Sequence, residues 1–462
     1  MINRRRNGFC TALVLSASLA LLPLGCGSDD PSQGNNDEQT LEEALRPIGR
    51  VKAIQLDTAA IAAAVQAGEP VELPFARPKA KLVEREVQLT VRNLRNPALT
   101  EFVLKDGNAG SFSSMPLPPP ATYQGKVTGG GTAVFTVTDE AIEGSMLVAP
   151  DGWAFIEPLE PQLRLRNVEP GARARLLGKY NHIIYNSKDI RNHDNPDDNP
   201  ETAGAPLDPQ PARPLVMSIV ADGDAELLRA FPLDSVMPFW LKQETLLNAV
   251  DWLFNCLEPD ANAANAYTEC GNDFDGGSNA FQARLRIDGF EVWSTGGPDS
   301  SNRIQLMQQS AVMTHQASPP CCGEPHTAGR ANLVHFFSGK GIDGGYASVN
   351  GLNYYGPLCF EQNATHHCHH GVSQLMPDKD FRGSAFHQQS LVAHEIGHNV
   401  GGEEIQFADP VCWLFDEECG TSLMESGLSG FTARSIFLYG SQAETRMGPL
   451  LAQELEPDGP NL

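Results

Sequence analysis

Residues 394–404 read HEIGHNVGGEE, and they carry the clearest chemical signal in the 462-residue chain. Two histidines four positions apart project from one face of a helix, close enough to bind the same metal ion. Glu395 lies beside the pair and can accept a proton from a water molecule at such an ion. With 12 histidines among the 462 residues, chance produces this pattern fewer than ~0.04 times. The spacing therefore predicts a Zn2+ site formed by His394 and His398, with Glu395 as general base.

The residues after His398 restrict the choice of a third zinc ligand. Gly401 can end the helix in a left-handed conformation and turn the chain sharply. Glu404 follows three positions later and can return to the metal, with Glu403 as a neighbouring alternative. No histidine follows His398, and two histidines plus a glutamate form a known zinc ligand set. Three glutamates further along the chain remain open as alternatives: Glu417, Glu418 and Glu425.

This motif resembles that of the metzincin zinc proteases, H-E-x-x-H-x-x-G-x-x-H or D followed by a methionine turn. Met424, at the end of the sequence CGTSLM, is similar to that turn, where the family places an apolar floor beneath the metal. Glu404 stands where the family has histidine or aspartate. The resemblance is greatest to the adamalysin, or reprolysin, group, and it covers about 214–440. It rests on four further stretches: GFEVWS at 289–294, VHFFSGK at 334–340, DGG at 343–345 and LC at 358–359.

The resemblance and the local patterns together predict an α+β, or mixed α/β, fold. The metzincin likeness implies a catalytic domain at 214–445, built as a twisted mixed sheet with an active-site helix. Before it, residues 46–190 are strand-like, with period-two alternation at 87–91. Three short sequences there resemble the reprolysin pro-domain: YQGKV at 123–127, EG at 143–144 and IEP at 156–158. Pro, Asn and Asp mark an exposed linker at 191–213, and a tail follows at 446–462.

The N-terminus predicts export from the cytoplasm. Three arginines at 4–6 precede an apolar run from 9 to 24, as in a signal peptide over 1–25. Gly25-Cys26 resembles a bacterial lipobox, which implies lipidation of Cys26; an ordinary secretory signal is the alternative. Residues 26–45 are polar and acidic and predict a flexible tether. Eight cysteines in the C-terminal half are typical of disulfides in an exported protein.

The charge balance restricts the partners. Lys and Arg total 33 against 57 Asp and Glu, a net charge of −24. A chain with this acidic surplus is not expected to bind nucleic acid, because phosphate binding needs basic residues. The acidic segment 272–277 has the composition of a calcium loop but lacks its final glutamate, so Ca2+ and an ordinary acidic turn are the two alternatives there. The sequence gives no indication of the oligomeric state.

These observations predict a zinc-dependent endopeptidase that hydrolyses peptide bonds of extracytoplasmic proteins with a metal-activated water and a glutamate base. The expected location is the cell envelope, held by the lipid anchor, or outside the cell after cleavage in the linker. A polypeptide substrate is expected to lie along a strand near 344–350. The alternative is a non-catalytic surface lipoprotein that uses a metzincin scaffold for binding. Glu404 favours this alternative, whereas an intact Glu395 argues against it.

Overall fold

A computed structural model describes residues 31–148, 151–190, 215–254, 283–316, 331–342, 344–347, 370–375 and 383–400. The helices in these ranges are α1 (Pro31–Leu45), α2 (Thr58–Gln66), α3 (Leu159–Leu165), α4 (Pro170–Leu177), α5 (Ala225–Ala230), α6 (Phe239–Phe254), α7 (Arg303–Gln316) and α8 (Ala385–Asn399). The strands are β1 (Gly49–Ile54), β2 (Val71–Arg77), β3 (Lys81–Val91), β4 (Glu101–Asp106), β5 (Ser111–Pro116), β6 (Thr122–Val127), β7 (Thr132–Val137), β8 (Ile142–Val148), β9 (Gly152–Pro158), β10 (His182–Ile190), β11 (Leu215–Gly223), β12 (Ala283–Thr295), β13 (Leu333–Ser338), β14 (Gly345–Ala347) and β15 (His370–Gln374).

The first sheet is antiparallel and has the order β1-β10-β9-β8-β7-β6-β3-β2. Short turns join β6 to β7 and β7 to β8, as expected where Gly and polar residues separate β-branched runs. Every residue of β7 and β8 is buried, so both faces of this sheet are covered there. The predicted β-rich N-terminal region is confirmed.

The second sheet has the order β14-β15-β13-β11-β12-β4-β5. Its inner strands run parallel, whereas β14 and β5 are antiparallel at the two edges. The apolar run of β11 suits a strand buried on both faces. Ile219 pairs with Ile287 and Val220 with Gly289, so one extra residue interrupts β12. This is the bulge that the change of apolar phase near Gly289 predicts.

The two sheets are not built from separate halves of the chain. We call residues 31–190 the N-terminal region and residues 215–400 the C-terminal region. The β4–β5 hairpin belongs to the N-terminal region, yet β4 pairs in parallel with β12 of the second sheet. One apolar core also contains side chains from both regions, among them Trp153, Phe155, Trp252 and Ile396. A division at the linker therefore describes the sequence but not the packing.

Residues 31–45 form helix α1, which differs from the flexible tether predicted for 26–45. Leu41, Ala44, Leu45 and Ile48 follow helical spacing, and their side chains belong to or pack against the core. Asp37 also forms an ion pair with Arg175 of α4 at 2.9 Å. The acidic composition of the segment concealed this apolar stripe.

Among the described helices, none has the length and apolarity needed to cross a lipid bilayer. The predicted signal peptide, Cys26, the linker and the C-terminal tail lie outside the described residues, as do all ten cysteines. Lipidation and disulfide formation stay predictions.

Candidate active site

Helix α8 carries the histidine motif and is buried along its whole length. Ser384 caps its N-terminus, where the hydroxyl accepts a hydrogen bond from the His387 amide at 3.3 Å. Leu391, Val392 and Ile396 anchor the apolar face of the helix, with at most 3% of each side chain exposed. A helix held on all sides fixes the direction of each side chain that it presents.

The structure brings the two predicted histidine ligands together. Nε2 of His394 lies 3.0 Å from Nε2 of His398, and the two rings are nearly perpendicular. Tetrahedral zinc with two histidine ligands requires these nitrogen atoms about 3.3 Å apart. A shift of a few tenths of an ångström would therefore admit the ion, so this donor pair fits zinc.

The remaining predicted site residues lie outside the described residues. These are Glu404, its alternatives and Met424, together with the acidic segment that suggested Ca2+. Within the described part of the chain, no group of three or more His, Cys, Asp or Glu side chains could hold a metal. The described residues thus supply two histidine donors, and the third ligand stays a prediction.

Glu395 lies directly against the edge strand β14. A Cβ atom added to Gly345 would come within 2.6 Å of the Glu395 Cγ and 2.7 Å of its Cδ. Gly345 therefore leaves the space that the carboxylate of the predicted base occupies. β14 pairs with β15 on one side and, among the strands that the structure describes, ends the sheet on the other, as expected from the sequence near 344–350.

Gly345→Ala is expected to lower kcat roughly ten- to hundredfold, because the new methyl group displaces the Glu395 carboxylate. The melting temperature should change little, since the displaced atoms belong to a side chain and not to the backbone. Steady-state kinetics, zinc content and thermal unfolding measure the three quantities. Gly171→Ala on α4 is the control, because only one side-chain atom lies within 4 Å of its added Cβ. Equal kcat for both variants would show that Gly345 does not place the base.

Polar side chains fix the other end of α8. Nδ2 of Asn399 donates to the carbonyl oxygen of His370 in β15 at 3.2 Å. His335 in β13 pairs with Gly371 of β15, and its Nε2 lies 2.9 Å from Oγ of Ser373. Burial lowers the pKa of His335 to about 3, so this imidazole is neutral at physiological pH. The sequence places His335 on a strand but gives no signal for the role of Asn399.

The first turn of α8 contacts the N-terminal region. The amide of Ala385 donates to the two carboxylate oxygens of Glu157 at 3.3 and 3.2 Å. The amide of Phe386 donates to the hydroxyl of Tyr185 at 3.2 Å. Nε2 of Gln162 donates to the carbonyl oxygen of Gly383 at 2.7 Å. Sequence reasoning missed these contacts; the sole signal was the IEP sequence at 156–158.

Comparisons with known proteins agree with the motif. Residues 262–403 match the family model of the reprolysin-like M12B metallopeptidases, which confirms the predicted resemblance over a segment that includes His394, Glu395 and His398. No curated protein matches the chain. Metalloproteinase-II from Bacteroides fragilis is a similar solved structure: identity is 10%, with 86% of this chain and 96% of that chain covered. Its TM-score of 0.43 is too low to establish a shared fold.

Proposed function

We propose that this chain is a zinc-dependent endopeptidase of the reprolysin-like type. The observation that carries the proposal is the pair of Nε2 atoms 3.0 Å apart on a buried helix, within the segment that matches the family model. His394 and His398 would hold the ion through these atoms, and Glu404 is the proposed third ligand. The match supports a metal-dependent peptidase, and the motif adds the residue roles.

The roles follow from the positions of the side chains. His394 and His398 would hold the zinc ion, which when bound would supply a Lewis acid to polarise a carbonyl group and acidify water. Glu395 accepts the proton of the attacking water and then donates it to the leaving amine. The outer edge of β14 adds the substrate as a further strand, next to Glu395. Its backbone hydrogen bonds would align the scissile bond without selecting a particular side chain.

The substrates are proposed to be extracytoplasmic polypeptides. The apolar run at 9–24 and the Gly25-Cys26 sequence support export and a lipid anchor on Cys26. The cysteine-rich C-terminal half supports an oxidising environment.

The test is to produce residues 27–462, which omit the predicted signal peptide and the lipidation site Cys26, with the cysteines oxidised. Bound zinc and cleavage of a mixed peptide library are then measured with and without a zinc chelator. We expect one zinc ion per chain and cleavage that the chelator abolishes and added zinc restores. Bound zinc without cleavage of any peptide would favour the binding scaffold instead. Cleavage that survives complete removal of zinc would overturn the proposed chemistry.

A further inference from the structure

We propose that the N-terminal region positions the active-site helix and stays docked on the C-terminal region after the linker at 191–213 is cut. The docking follows from contacts alone, whereas its effect on catalysis rests on the proposed peptidase function. Interfaces between domains that separate easily are typically small and more polar than obligate interfaces. The contacts between the two regions are of a different kind.

The first argument is the shared sheet. β4 lies between β5 and β12, and Val103, Leu104 and Lys105 pair with residues 291–293 of β12. Closer to the start of β12, the Ile287 amide donates to the carbonyl oxygen of Leu94 at 2.7 Å. Removing the N-terminal region would expose the backbone edge of β12 along these residues. The unpaired backbone groups of an exposed strand edge can pair with another strand, so loss of β4 favours rebinding or aggregation.

The second argument is buried charge. Among the described residues, five ion pairs cross the boundary between the regions: Arg92–Asp251, Arg95–Glu244, Lys105–Asp222, Lys105–Glu291 and Lys242–Glu143. Eight of the nine side chains have 6% or less of their surface exposed, and Arg92 has 14%. Arg95 donates to both carboxylate oxygens of Glu244, at 2.9 and 2.7 Å. Separation would leave each charge without its counterion, and such charges must be solvated or neutralised.

The third argument is the common apolar core. Trp153 and Trp252 meet edge to face with ring centroids 4.8 Å apart. Phe102 and Phe239 meet in the same way at 5.4 Å, so the hairpin and the first sheet both contribute aromatic contacts. These rings belong to one continuous cluster of buried side chains. The apolar part of the boundary is therefore continuous with the protein interior, as is typical of permanent interfaces.

The positioning role is carried by Glu157 of β9. Three donors converge on its carboxylate: the Ala385 amide, Nε2 of Gln162 at 2.8 Å and the hydroxyl of Tyr185. Tyr185 in turn accepts the Phe386 amide, so two successive amides of α8 are tied to the first sheet. The positive end of the helix dipole, at the N-terminus of α8, also stabilises a carboxylate placed there. Because α8 is one continuous helix, the placement of its first turn sets the placement of His394.

The surroundings of Glu157 disfavour the ionised form of its carboxyl group. Burial and the nearby Glu143 raise the pKa of Glu157 to about 7, while Lys242 and the Tyr185 hydroxyl lower it. The carboxylate accepts all three hydrogen bonds when ionised. A protonated group turns one oxygen atom into a donor and loses part of this set. Retaining an ionisable group in such a place, next to the active-site helix, fits a positioning role.

The docking test cuts the full chain. A recognition sequence for a site-specific protease is inserted in the linker, and the digested protein is passed through gel filtration at neutral pH. We expect the two fragments to co-elute and to retain zinc and peptidase activity within about twofold, because the shared sheet, the ion pairs and the aromatic contacts join residues on either side of the cut. Separation of the fragments overturns the proposal, whether or not the C-terminal fragment is active. Co-elution is measured without substrate, so failure of the peptidase assignment leaves this result interpretable.

The positioning test uses Glu157→Gln, with exposed Glu84→Gln as the control. We expect kcat to fall roughly tenfold with KM and zinc content unchanged, because the active-site helix is displaced while substrate binding is kept. An unchanged kcat would show that Glu157 does not position the helix.

A pH series tests the same residue independently of activity. The folded protein holds the Glu157 proton up to about pH 7, whereas the ordinary value is 4.5. The wild type therefore loses stability as the pH rises between these values, and glutamine does not titrate. The melting temperature of Glu157→Gln, relative to wild type, should rise from pH 5 to pH 8. If the difference in melting temperature does not change with pH, the surroundings of Glu157 do not raise the pKa of its carboxyl group.

Discussion

Replacing Glu395 by glutamine is expected to lower kcat for peptide hydrolysis by about 10²–10⁴-fold while zinc remains bound. The amide has nearly the shape of the carboxylate, so it should occupy the space beside Gly345 without moving β14. It cannot accept the proton of the attacking water, because its nitrogen is not basic. The loss therefore measures proton transfer and not a change of fold. KM should change by much less than kcat.

The measurement is steady-state cleavage of a peptide selected from the library, combined with metal analysis and thermal unfolding of each variant. Glu84→Gln, on the exposed face of β3, is the control for an unrelated loss of charge. Turnover of Glu395→Gln within about threefold of the wild type would remove Glu395 as general base. Loss of zinc in this variant would mean instead that the Glu395 carboxylate is needed for zinc binding by the histidine ligands. These two outcomes separate catalysis from metal binding.

The sequence predicts the histidine pair well because a helix sets the spacing of its side chains locally. Four positions along α8 bring His394 and His398 to one side, whatever the rest of the chain does. The bulge in β12 is predicted for the same reason, since a local change of phase marks it. The third ligand depends on the path of the chain after Gly401. No periodic pattern specifies that path, and the alternatives stay open.

Long-range pairing explains what the sequence does not predict. The β4–β5 hairpin has the pattern of any short antiparallel pair, and nothing in it names β12 as the neighbour of β4. Glu157 likewise reads as one carboxylate among many. Its role depends on the packing of β9 against the first turn of α8, more than 200 positions away in the sequence. Composition also concealed α1, whose apolar stripe is short and lies among polar residues.

Lys105→Met is expected to lower the free energy of unfolding by about 3–5 kcal/mol. Nζ of Lys105 lies 2.7 Å from the Asp222 carboxylate and 2.6 Å from that of Glu291, and 4% of the side chain is exposed. The two carboxylates raise the pKa of Lys105 against the effect of burial, so the ammonium group stays charged. Methionine retains most of the apolar volume but leaves two acids together in the interior. Denaturant unfolding at neutral pH measures the change.

The control for this substitution is Arg229→Met, which removes an ion pair with Glu226. The Arg229 side chain is 70% exposed. Its cost should stay below about 1 kcal/mol, because water solvates the remaining charge.

Adding Glu291→Gln to Lys105→Met should recover part of the lost stability if uncompensated charge is the cause. No recovery would assign the loss to other contacts of the ammonium group, such as the cation–π contact with Trp293, whose ring centroid lies 4.7 Å from Nζ. Because Lys105 belongs to the N-terminal region and its acids to the C-terminal region, the same variant should also loosen the two fragments after the linker is cut. If Lys105→Met lowers the free energy of unfolding but the two fragments still co-elute, the aromatic core and the shared sheet hold the fragments together.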